Sequence, residues 1–344
     1  MKSNDVGMSK VTVLMPVYNV GPYLMDAIES VLSQTYKNFI LLIMDDDSTD
    51  NTGEIVASFD DGRIKYVKNE QNLGLADNLN KGLSLIHTEY VARMDGDDIA
   101  EPFWLEHEVA VLDAHPEIGV CSGGFQFFGT SNSVVRYPEA PQDVLANMLF
   151  GTSVIVPVFR HVLYSKYGLC YRTSAFPAED YMFWAECARV TKIYNVQETV
   201  FHYRMHDSQI STSKRALQIQ KTHEARSFML EWLSDEFSVD DREYFLNDYV
   251  MPVMSQDEYK RQLDFADFVI QKNAKWCHFD NDALKRCLYG KVLGNTYSGL
   301  LKKCFSSGYS PKAYVKYLNS GLFGHLSLKT ELKLLVKCCV FWKV

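Results

Sequence analysis

Two clusters of carboxylates could do chemistry, because each follows directly on an apolar run. Asp45, Asp46 and Asp47 follow the apolar residues 39–44, and residues 95–98, which read Asp-Gly-Asp-Asp, follow the run 90–94. If both runs are parallel strands of one sheet, the two turns open into the same crevice. Carboxylates crowded there need a counter-charge, and Mg²⁺ or Mn²⁺ shared with diphosphate oxygens would supply it. The alternative for each cluster is a turn with solvated acids.

A third acidic pair, Glu179 and Asp180, precedes bulky aromatic residues that include Trp184. Aromatic surroundings exclude water from a carboxylate and raise its pKa, which suits a general base. The pair also fits the N-cap of a helix, and the two roles are compatible.

A fourth group combines Arg204 and His206 with the polar residues Ser208, Gln209 and Ser211. Arginine and histidine bind diphosphate oxygens, and a neutral imidazole is also a metal ligand. A single histidine is more often structural, so this group gains weight only in company with the carboxylates.

The elements that must position these groups alternate between strand and helix patterns over the first 125 or so residues. Apolar runs at 11–18, 39–44, 64–67 and 90–94 predict strands, and the second run is apolar on both faces, as in a covered parallel strand. Two segments carry apolar residues at helical spacing: Leu24, Ala27, Ile28, Val31 and Leu32, then Leu75, Leu79, Leu83 and Ile86. This rhythm predicts an α/β fold with a doubly wound, mostly parallel sheet. From about Lys214 the spacing is helical, so we expect a helical region over 213–344.

The charge of the chain is unevenly distributed. The net charge is −8, yet residues 291–344 contain nine lysines and one acid, Glu331, so the preceding part carries −16. An acidic body argues against nucleic-acid binding. In the tail, apolar residues recur at helical steps beside basic ones: Leu328, Leu332, Leu335, Cys339 and Trp342 beside Lys329, Lys333 and Lys337. This pattern favours docking on an anionic membrane surface, and the alternative is an ordinary solvated helix face.

The compartment is predicted from the cysteines and the N-terminus. Eight cysteines without a CxxC pair lie mostly in apolar contexts, which indicates buried free thiols rather than a disulfide or zinc framework. The first ten residues lack the apolar core of a signal peptide, and the longest nearly apolar stretch, 334–342, is too short to span a bilayer. We therefore expect a cytoplasmic protein.

Seven short motifs, in order and in register, resemble those of the family 2 glycosyltransferases. They are VTVLMPVYN (11–19), SQTYKNF (33–39), MDDDSTD (44–50), NLGL (72–75) through NKG (80–82), YVARMDGDDI (90–99), AED (178–180) and YRMH (203–206). The resemblance covers roughly residues 10–212. The spacing and the long C-terminal extension are most similar to those of bacterial lipooligosaccharide and polysaccharide β-1,3-N-acetylhexosaminyltransferases.

The resemblance implies a GT-A fold over 1–212, with a nucleotide-sugar half at about 10–125 and an acceptor half at about 126–212. It implies inverting transfer of a hexose or N-acetylhexosamine from a UDP-sugar to a hydroxyl of a cell-envelope glycan or a lipid-linked oligosaccharide. If the basic tail docks on the inner leaflet, where a lipid-linked acceptor would be found, the protein lies peripherally on the inner face of the cell membrane.

The resemblance also assigns roles to residues. Asp180 is the general base, and Glu179 and Trp184 face the acceptor pocket. A divalent metal, Mn²⁺ or Mg²⁺, is held by Asp97 with Asp95 and His206. The remaining assignments concern the nucleotide-sugar, which is bound by Pro16, Val17, Tyr18, Asp46, Asn72, Gly74, Asp95, Arg204 and His206. Within this set, Asp46 would accept a hydrogen bond from the uracil N3–H.

Two other functions compete with this interpretation. Residues 41–49 also fit an apolar strand with the D-x-D-x-T signature of a haloacid-dehalogenase-type phosphatase, in which Asp45 would be the nucleophile and Asp47 would be its partner. A non-catalytic scaffold at the membrane surface would account for the basic tail. Many members of the resembling family carry Gly or Asn in place of Asp47, and the pattern offers no reason for the added charge.

Overall fold

The computed structural model describes residues 9–129, 131–206, 214–306, 308–320, 323 and 328–340. The chain divides into two compact units, Met1–Met229 and Leu230–Val344. This division lies beyond the boundary predicted near residue 212, so the first unit includes the start of the helical region. The functional division into 1–212 and 213–344 stays a prediction.

A mixed sheet forms the centre of the first unit. Its strands are β1 (Val11–Val17), β2 (Phe39–Asp45), β3 (Ile64–Lys68), β4 (Tyr90–Arg93), β5 (Ile99–Ala100), β6 (Ile118–Phe128), β7 (Val134–Val135), β8 (Val158–Arg160) and β9 (Lys192–Arg204). The strand order is β3-β2-β1-β4-β8-β6-β9-β5, and β7 pairs with β6. Strands β1, β2, β3, β4, β6 and β9 run in one direction, and β5, β7 and β8 run against them. The mostly parallel α/β sheet predicted from the sequence is confirmed.

Within residues 9–129 and 131–206, the structure describes seven α-helices that precede a longer one. They are α1 (Gly21–Leu32), α2 (Thr52–Ala57), α3 (Leu75–Leu85), α4 (Trp104–Ala114), α5 (Pro141–Asn147), α6 (Val162–Ser165) and α7 (Glu179–Ala188). In α1, Pro22 lies in the first turn, where its missing N–H costs nothing, and the predicted apolar face is buried. All seven residues of β1 are buried, because elements pack on both faces of this central strand.

The long strand β9 ends beside a segment from much earlier in the chain. It runs parallel to β6, and its residue His202 pairs with Ile99 of the two-residue strand β5. Because β5 directly follows residues 95–98, this pairing brings the end of β9 beside the second acidic turn.

The rest of the described chain is helical, as predicted. The helices are α8 (Arg215–Leu233), α9 (Val239–Glu243), α10 (Gln256–Trp276), α11 (Asn281–Thr296), α12 (Lys302–Cys304), α13 (Pro311–Leu318) and α14 (Leu328–Cys339), with π-helical turns at Tyr244–Asp248 and Tyr297–Leu301. The start of α10 is fixed by a capping box between Ser255 and Glu258. None of the helices described is both long and apolar enough to cross a membrane.

The cysteines agree only partly with their predicted environment. All eight are free thiols, as expected. Four of them, Cys121, Cys187, Cys304 and Cys338, are buried, whereas Cys170, Cys277 and Cys339 are exposed. The expectation that most are buried therefore holds for only half of them, because apolar sequence neighbours also occur on exposed helix faces.

Candidate active site

The two acidic turns lie on either side of Val17, at the end of β1. The backbone N–H of Asp46 donates to the Val17 carbonyl at 2.9 Å. On the other side, a Cβ added to Gly96 would lie 2.7 Å from Val17 Cγ1. The topology thus places both turns at the carboxyl end of the parallel strands, as the sequence predicted. Gly96 is required for this close packing.

Asp45, the first acid of the first turn, is a structural residue. Its side chain is 0% exposed, and its carboxylate accepts hydrogen bonds from the Ser48 N–H at 2.8 Å and from the Tyr66 hydroxyl. A buried carboxylate held by two donors cannot approach a phosphate ester as a nucleophile. The phosphatase interpretation is therefore wrong on the geometry of its proposed nucleophile.

The backbone conformation explains why an aspartate occupies position 47. Its φ is 65°, in the left-handed region. Glycine adopts this region freely, and asparagine and aspartate tolerate it better than other residues. The position therefore selects among Gly, Asn and Asp, and the charge of Asp47, 4.0 Å from Lys68 Nζ, needs no role in catalysis.

Asp46 is brought together with the predicted residues Asn72 and Gly74. Its Oδ1 accepts from the Leu73 N–H at 2.8 Å and from Asn69 Nδ2 at 2.8 Å, and its Oδ2 accepts from the Gly74 N–H at 2.8 Å. Asn72 donates to the Asp46 carbonyl at 3.1 Å. Asp46 is only 3% exposed, so it first of all anchors the loop 72–74. Oδ2 accepts one hydrogen bond, that from Gly74, among those described, and a carboxylate oxygen can accept two.

The motif at the end of β1 presents two side chains to the surface, those of Tyr18 and Asn19. Pro16 and Val17 are buried, whereas Tyr18 is 50% exposed. Asn19, with φ 53°, accepts from the Thr49 N–H at 2.8 Å and ties this end to the first acidic turn. Of Pro16, Val17 and Tyr18, which the resemblance assigned to nucleotide-sugar binding, only Tyr18 offers an exposed ring face on which a base could stack.

The second acidic turn is bonded to the end of β9. The Asp97 carboxylate lies 3.0 Å from His206 Nε2, and the buried Asp98 accepts from the Arg204 N–H at 2.8 Å. Asp95 accepts from Arg93 Nη1 at 2.7 Å. The predicted residues Asp95, Asp97, Arg204 and His206 therefore meet at one place.

Arg204 and His206 are held in position by several contacts. The Arg204 guanidinium donates to the Asp97 carbonyl at 2.7 Å and to Asp26 at 2.9 Å. It lies over the rings of Tyr23 and Phe128, at 5.0 and 4.6 Å from their centroids, and the His206 ring stacks on Tyr23 at 4.6 Å. Ser208, Gln209 and Ser211, which the sequence placed beside this group, lie outside the described residues.

Glu179 and Asp180 open helix α7, but neither is its N-cap, which is Ala178. The Asp180 carboxylate accepts from the Tyr181 N–H at 2.6 Å. Glu179 is 4% exposed, and its Oε2 has no hydrogen-bond partner among the described residues. Burial and the charge of Asp180 raise the pKa of Glu179 to about 7. Burial also raises the pKa of Asp180, while the positive charge of Arg93 opposes this shift.

The acids of the second turn and of α7 belong to one electrostatic group around Arg93. Burial raises the pKa of Asp95 to about 6; Arg93 counters that shift, and the charges of Asp97 and Asp180 add to it. Arg93 is 8% exposed, and its guanidinium is stabilised by the charges of Asp95, Asp180 and Glu179. The acids of the second turn and of α7 therefore share one buried cation.

Trp184 does not line a pocket, contrary to the expectation from its position after the acids. It is 1% exposed and packs edge-on against Phe159, Tyr171 and Phe183, with ring centroids 5.4, 6.4 and 4.7 Å away. One helical turn after Asp180, its side chain points into the core and supports the helix that carries the acids.

Comparison with known proteins identifies the family. The family model for Glycosyl transferase family 2 matches residues 12–170. WfgD of Escherichia coli, a UDP-Glc:alpha-D-GlcNAc-diphosphoundecaprenol beta-1,3-glucosyltransferase, is 32% identical over 212 residues, which cover 59% of this chain and 80% of WfgD. The chain is a family 2 glycosyltransferase. The predicted enzyme class is confirmed.

Solved structures agree with the fold of this glycosyltransferase. S. aureus TarS, in complex with UDP-GlcNAc, aligns over 87% of this chain and 93% of TarS, with a TM-score of 0.58 and 18% identity. The mannosyltransferase PcManGT from Pyrobaculum calidifontis, in complex with GDP-Man and Mn²⁺, aligns over 91% of this chain and 80% of its own, with a TM-score of 0.51 and 17% identity. These likenesses confirm the GT-A fold.

Asp97 and His206 are the side chains of this glycosyltransferase that could hold a divalent metal. No group of three or more metal-ligating side chains is assembled in the part of the chain that the structure describes. The expected trio of Asp95, Asp97 and His206 is thus incomplete, because Asp95 bonds to Arg93, while Asp97 and His206 lie together. Divalent cations are often held by one or two protein ligands plus substrate phosphates, and this pair suits that arrangement.

Sequence reasoning missed Arg93, Tyr23 and Asp26. Arg93 could have been found, because a cation inside the apolar run 90–94 is costly unless acids surround it. Tyr23 and Asp26 carry no such signal, since both lie on α1 and meet Arg204 only through the tertiary fold.

Proposed function

We propose that this glycosyltransferase moves a hexose or N-acetylhexosamine from a UDP-sugar to a hydroxyl of a lipid-linked or cell-envelope glycan, with inversion at the anomeric carbon. UDP-GlcNAc bound to TarS supports the class of donor, and the diphosphoundecaprenol acceptor of WfgD supports the class of acceptor. Asp180 would be the base.

The observation that carries this proposal is the shared electrostatic group around Arg93. Asp95 and Asp97 follow β4, Asp180 opens α7, and the charges of Asp97 and Asp180 both act on Asp95. A transferase needs its leaving group and its base close together, on opposite faces of the transferred sugar. A single displacement of this kind requires one base and no nucleophilic carboxylate.

The residues of the proposed site then have defined tasks. Asp97 and His206 would hold Mn²⁺ or Mg²⁺, which when bound neutralises the negative charge that develops on the diphosphate. Arg204 fixes the turn through the Asp97 carbonyl and Asp26. Asp180 takes the proton of the acceptor hydroxyl, and its raised pKa makes it a stronger base than an ordinary aspartate.

The nucleotide would lie at the end of β1 in this proposal. Tyr18, half exposed, offers a ring face to the base. Asp46 would accept from the uracil N3–H at a second acceptor position on Oδ2, beside the hydrogen bond from Gly74.

The test is a screen of UDP-sugars for donor hydrolysis with Mn²⁺, Mg²⁺ or EDTA. We expect release of UDP from at least one donor, dependent on metal and reduced in Asp97→Asn. The matched control is Asp113→Asn, which removes a carboxylate bonded to Lys10 and Tyr90 away from the acidic turns. Undiminished hydrolysis in EDTA would contradict the proposed metal requirement. The absence of hydrolysis and transfer with every UDP-sugar would contradict the proposed class of donor.

We further propose that helix α14 docks on the anionic inner leaflet, where a lipid-linked acceptor would lie. Its apolar residues Leu328, Leu332, Leu335 and Val336 are 76, 52, 38 and 54% exposed, while Leu334 and Cys338 are buried. Lys329 and Lys333 are exposed on the same helix, and Trp342 lies outside the described residues. An exposed apolar face beside lysines is typical of helices that lie in a membrane interface.

A further inference from the structure

A cavity of about 390 Å³ lies beside the start of α8, within the first unit. Its walls include Phe150, Arg215, Gln218, Thr222, His223 and Arg226. Five of these residues recur at three- and four-residue steps of α8, so they form one face of the helix. None of the residues described as lining it belongs to the acidic turns or to the pair Asp97 and His206.

The cavity borders the segment that carries the proposed base. Gln218 donates to the Pro177 carbonyl at 3.3 Å, three residues before Asp180. On its other side, Arg226 Nε donates to the Leu149 carbonyl at 3.2 Å. The hydroxyl of Tyr181, the residue after Asp180, donates to the neighbouring Met148 carbonyl. The loop at 148–150 thus connects the cavity with the start of α7.

Basic side chains are present among the residues described as lining the cavity. Two of its residues, Arg215 and Arg226, are arginines, and none of the residues described as lining it is acidic. Arg226 is 3% exposed and its Nε is bonded to the Leu149 carbonyl, whereas Arg215 is exposed, so Arg215 is the cation that a ligand would meet first. The acid next along the helix, Glu224, is bound to Lys221 at 2.8 Å.

Hydrogen-bond donors and an apolar rim complete the site. Thr222 and His223 add polar atoms beside the arginines, in a mixture typical of sites for phosphate oxygens. Ile219, which also lines the cavity, is 51% exposed, and the adjacent Leu217 is 41% exposed. The ligand that suits such a site has an anionic group attached to an apolar group.

We propose that this cavity binds the phosphate or diphosphate group of the acceptor and so presents the acceptor hydroxyl to Asp180. The proposal rests on the proposed transferase function and deepens it, because it names the chemistry that the acceptor must carry. Arg215 would bind the phosphate oxygens with its guanidinium, and Ile219 would contact the chain esterified to the phosphate.

Binding is tested with inorganic pyrophosphate in a metal-free buffer, so that the metal site contributes little. The ring signals of His223, assigned by NMR with His223→Gln, should shift with pyrophosphate concentration. We expect Arg215→Gln to weaken pyrophosphate binding about tenfold, because the variant removes a charge-assisted hydrogen bond. The matched control is Lys221→Gln, which removes one positive charge from the same helix outside the cavity and should bind as the wild type does. Unmoved His223 signals, or equal weakening in both variants, would overturn the proposal.

A second arm distinguishes an acceptor phosphate from free phosphate. Transfer is measured to a sugar carried on a short alkyl diphosphate and to the alkyl glycoside of the same sugar. We expect Arg215→Gln to raise KM for the diphosphate acceptor about tenfold more than KM for the glycoside. If KM rises equally for both acceptors, or if pyrophosphate binds while KM for the diphosphate acceptor is unchanged, the cavity does not serve the acceptor. Donor hydrolysis by the wild type is measured in parallel, and its failure contradicts the transferase proposal while the His223 titration still decides the cavity.

Discussion

Asp180 is the residue on which the proposed chemistry depends most. Replacing it by Asn keeps the size of the side chain and removes the proton acceptor. We expect Asp180→Asn to lower kcat for sugar transfer by about 10²- to 10⁴-fold, since that is the range in which general bases contribute. Initial rates of UDP release with acceptor present measure this loss.

A second carboxylate on the same helix provides the control for Asp180. Glu186 pairs with Arg172 at the opposite end of α7. Glu186→Gln should transfer sugar at close to the wild-type rate. If Asp180→Asn and Glu186→Gln lose the same activity, the effect belongs to the stability of α7, and Asp180 is not the base.

The raised pKa of Glu179 makes the free energy of unfolding depend on pH. Its pKa rises from 4.5 to about 7 in the folded protein, so the folded state favours the neutral carboxyl. The wild type should therefore lose up to about 3 kcal/mol of unfolding free energy as pH rises from 4.5 to 7. Glu179→Gln is always neutral and should be more stable than the wild type above pH 7 but not below pH 4.5. Urea unfolding at pH 4, 6 and 8 tests this, and a stability difference that is the same at all three would contradict it.

The sequence allowed the acids to be predicted more readily than their partners. Asp46, Asp97 and Asp180 stand in short motifs, so their types and order are legible along the chain. The commitment of Asp46 to the loop 72–74 and the burial of Trp184 are not, because each depends on which segments pack together in three dimensions. Sequence spacing places residues on elements, but packing decides which side chains are exposed.

At the scale of elements, the second acidic turn depends on the space beside β1. A Cβ on Gly96 would lie 2.7 Å from Val17 Cγ1, so Gly96→Ala must displace the turn or the strand. We expect a loss of about 1–3 kcal/mol in unfolding free energy and weaker metal-dependent donor hydrolysis. Calorimetry and the hydrolysis assay measure the two effects.

Two further variants isolate this contact. Gly62→Ala adds the same methyl group where no atom lies within 4 Å, and it should change neither stability nor hydrolysis. Val17→Ala in the Gly96→Ala background should recover part of the lost stability, because it makes room for the new methyl group. Additive losses in the double variant would show that the two residues do not compete for space.

The strands and helices themselves were largely predictable. The runs 39–44 and 64–67 correspond to β2 and β3, and Leu79 and Leu83 are buried on α3 as their spacing indicated. The pairing of β5 with β9 was not foreseen, because strand β5 has only two residues and its partner lies about a hundred residues later. Short strands carry too few residues to show a period, and long-range register leaves no local signal.

At the scale of the whole molecule, attachment to a membrane is the proposal most open to direct measurement. Leu332→Asp with Leu335→Asp should weaken binding to phosphatidylglycerol vesicles by at least about tenfold, because each exposed leucine that enters the interface contributes about 1.5–3 kcal/mol. Cosedimentation at low and high salt measures the effect. Removal of the chain after Ser320 should abolish binding.

The control for the membrane variants lies on the neighbouring helix. Val315 on α13 is 54% exposed, and Val315→Asp makes a similar change of polarity away from α14. It should bind vesicles as the wild type does. Equal binding of all variants would mean that α14 presents an ordinary solvated face.

The hydrogen bonds between the end of β9 and the second acidic turn have a consequence for the order in which the enzyme folds. During synthesis the nascent chain can pair β1, β2, β3 and β4 long before Arg204 and His206 leave the ribosome. Until those residues arrive, Asp98 has no Arg204 N–H to bond, and Asp97 has no imidazole beside it. If the proposed function holds, a fragment that ends before β9 would contain both acidic turns but lack these two contacts, so it should bind donor and metal more weakly than the full chain.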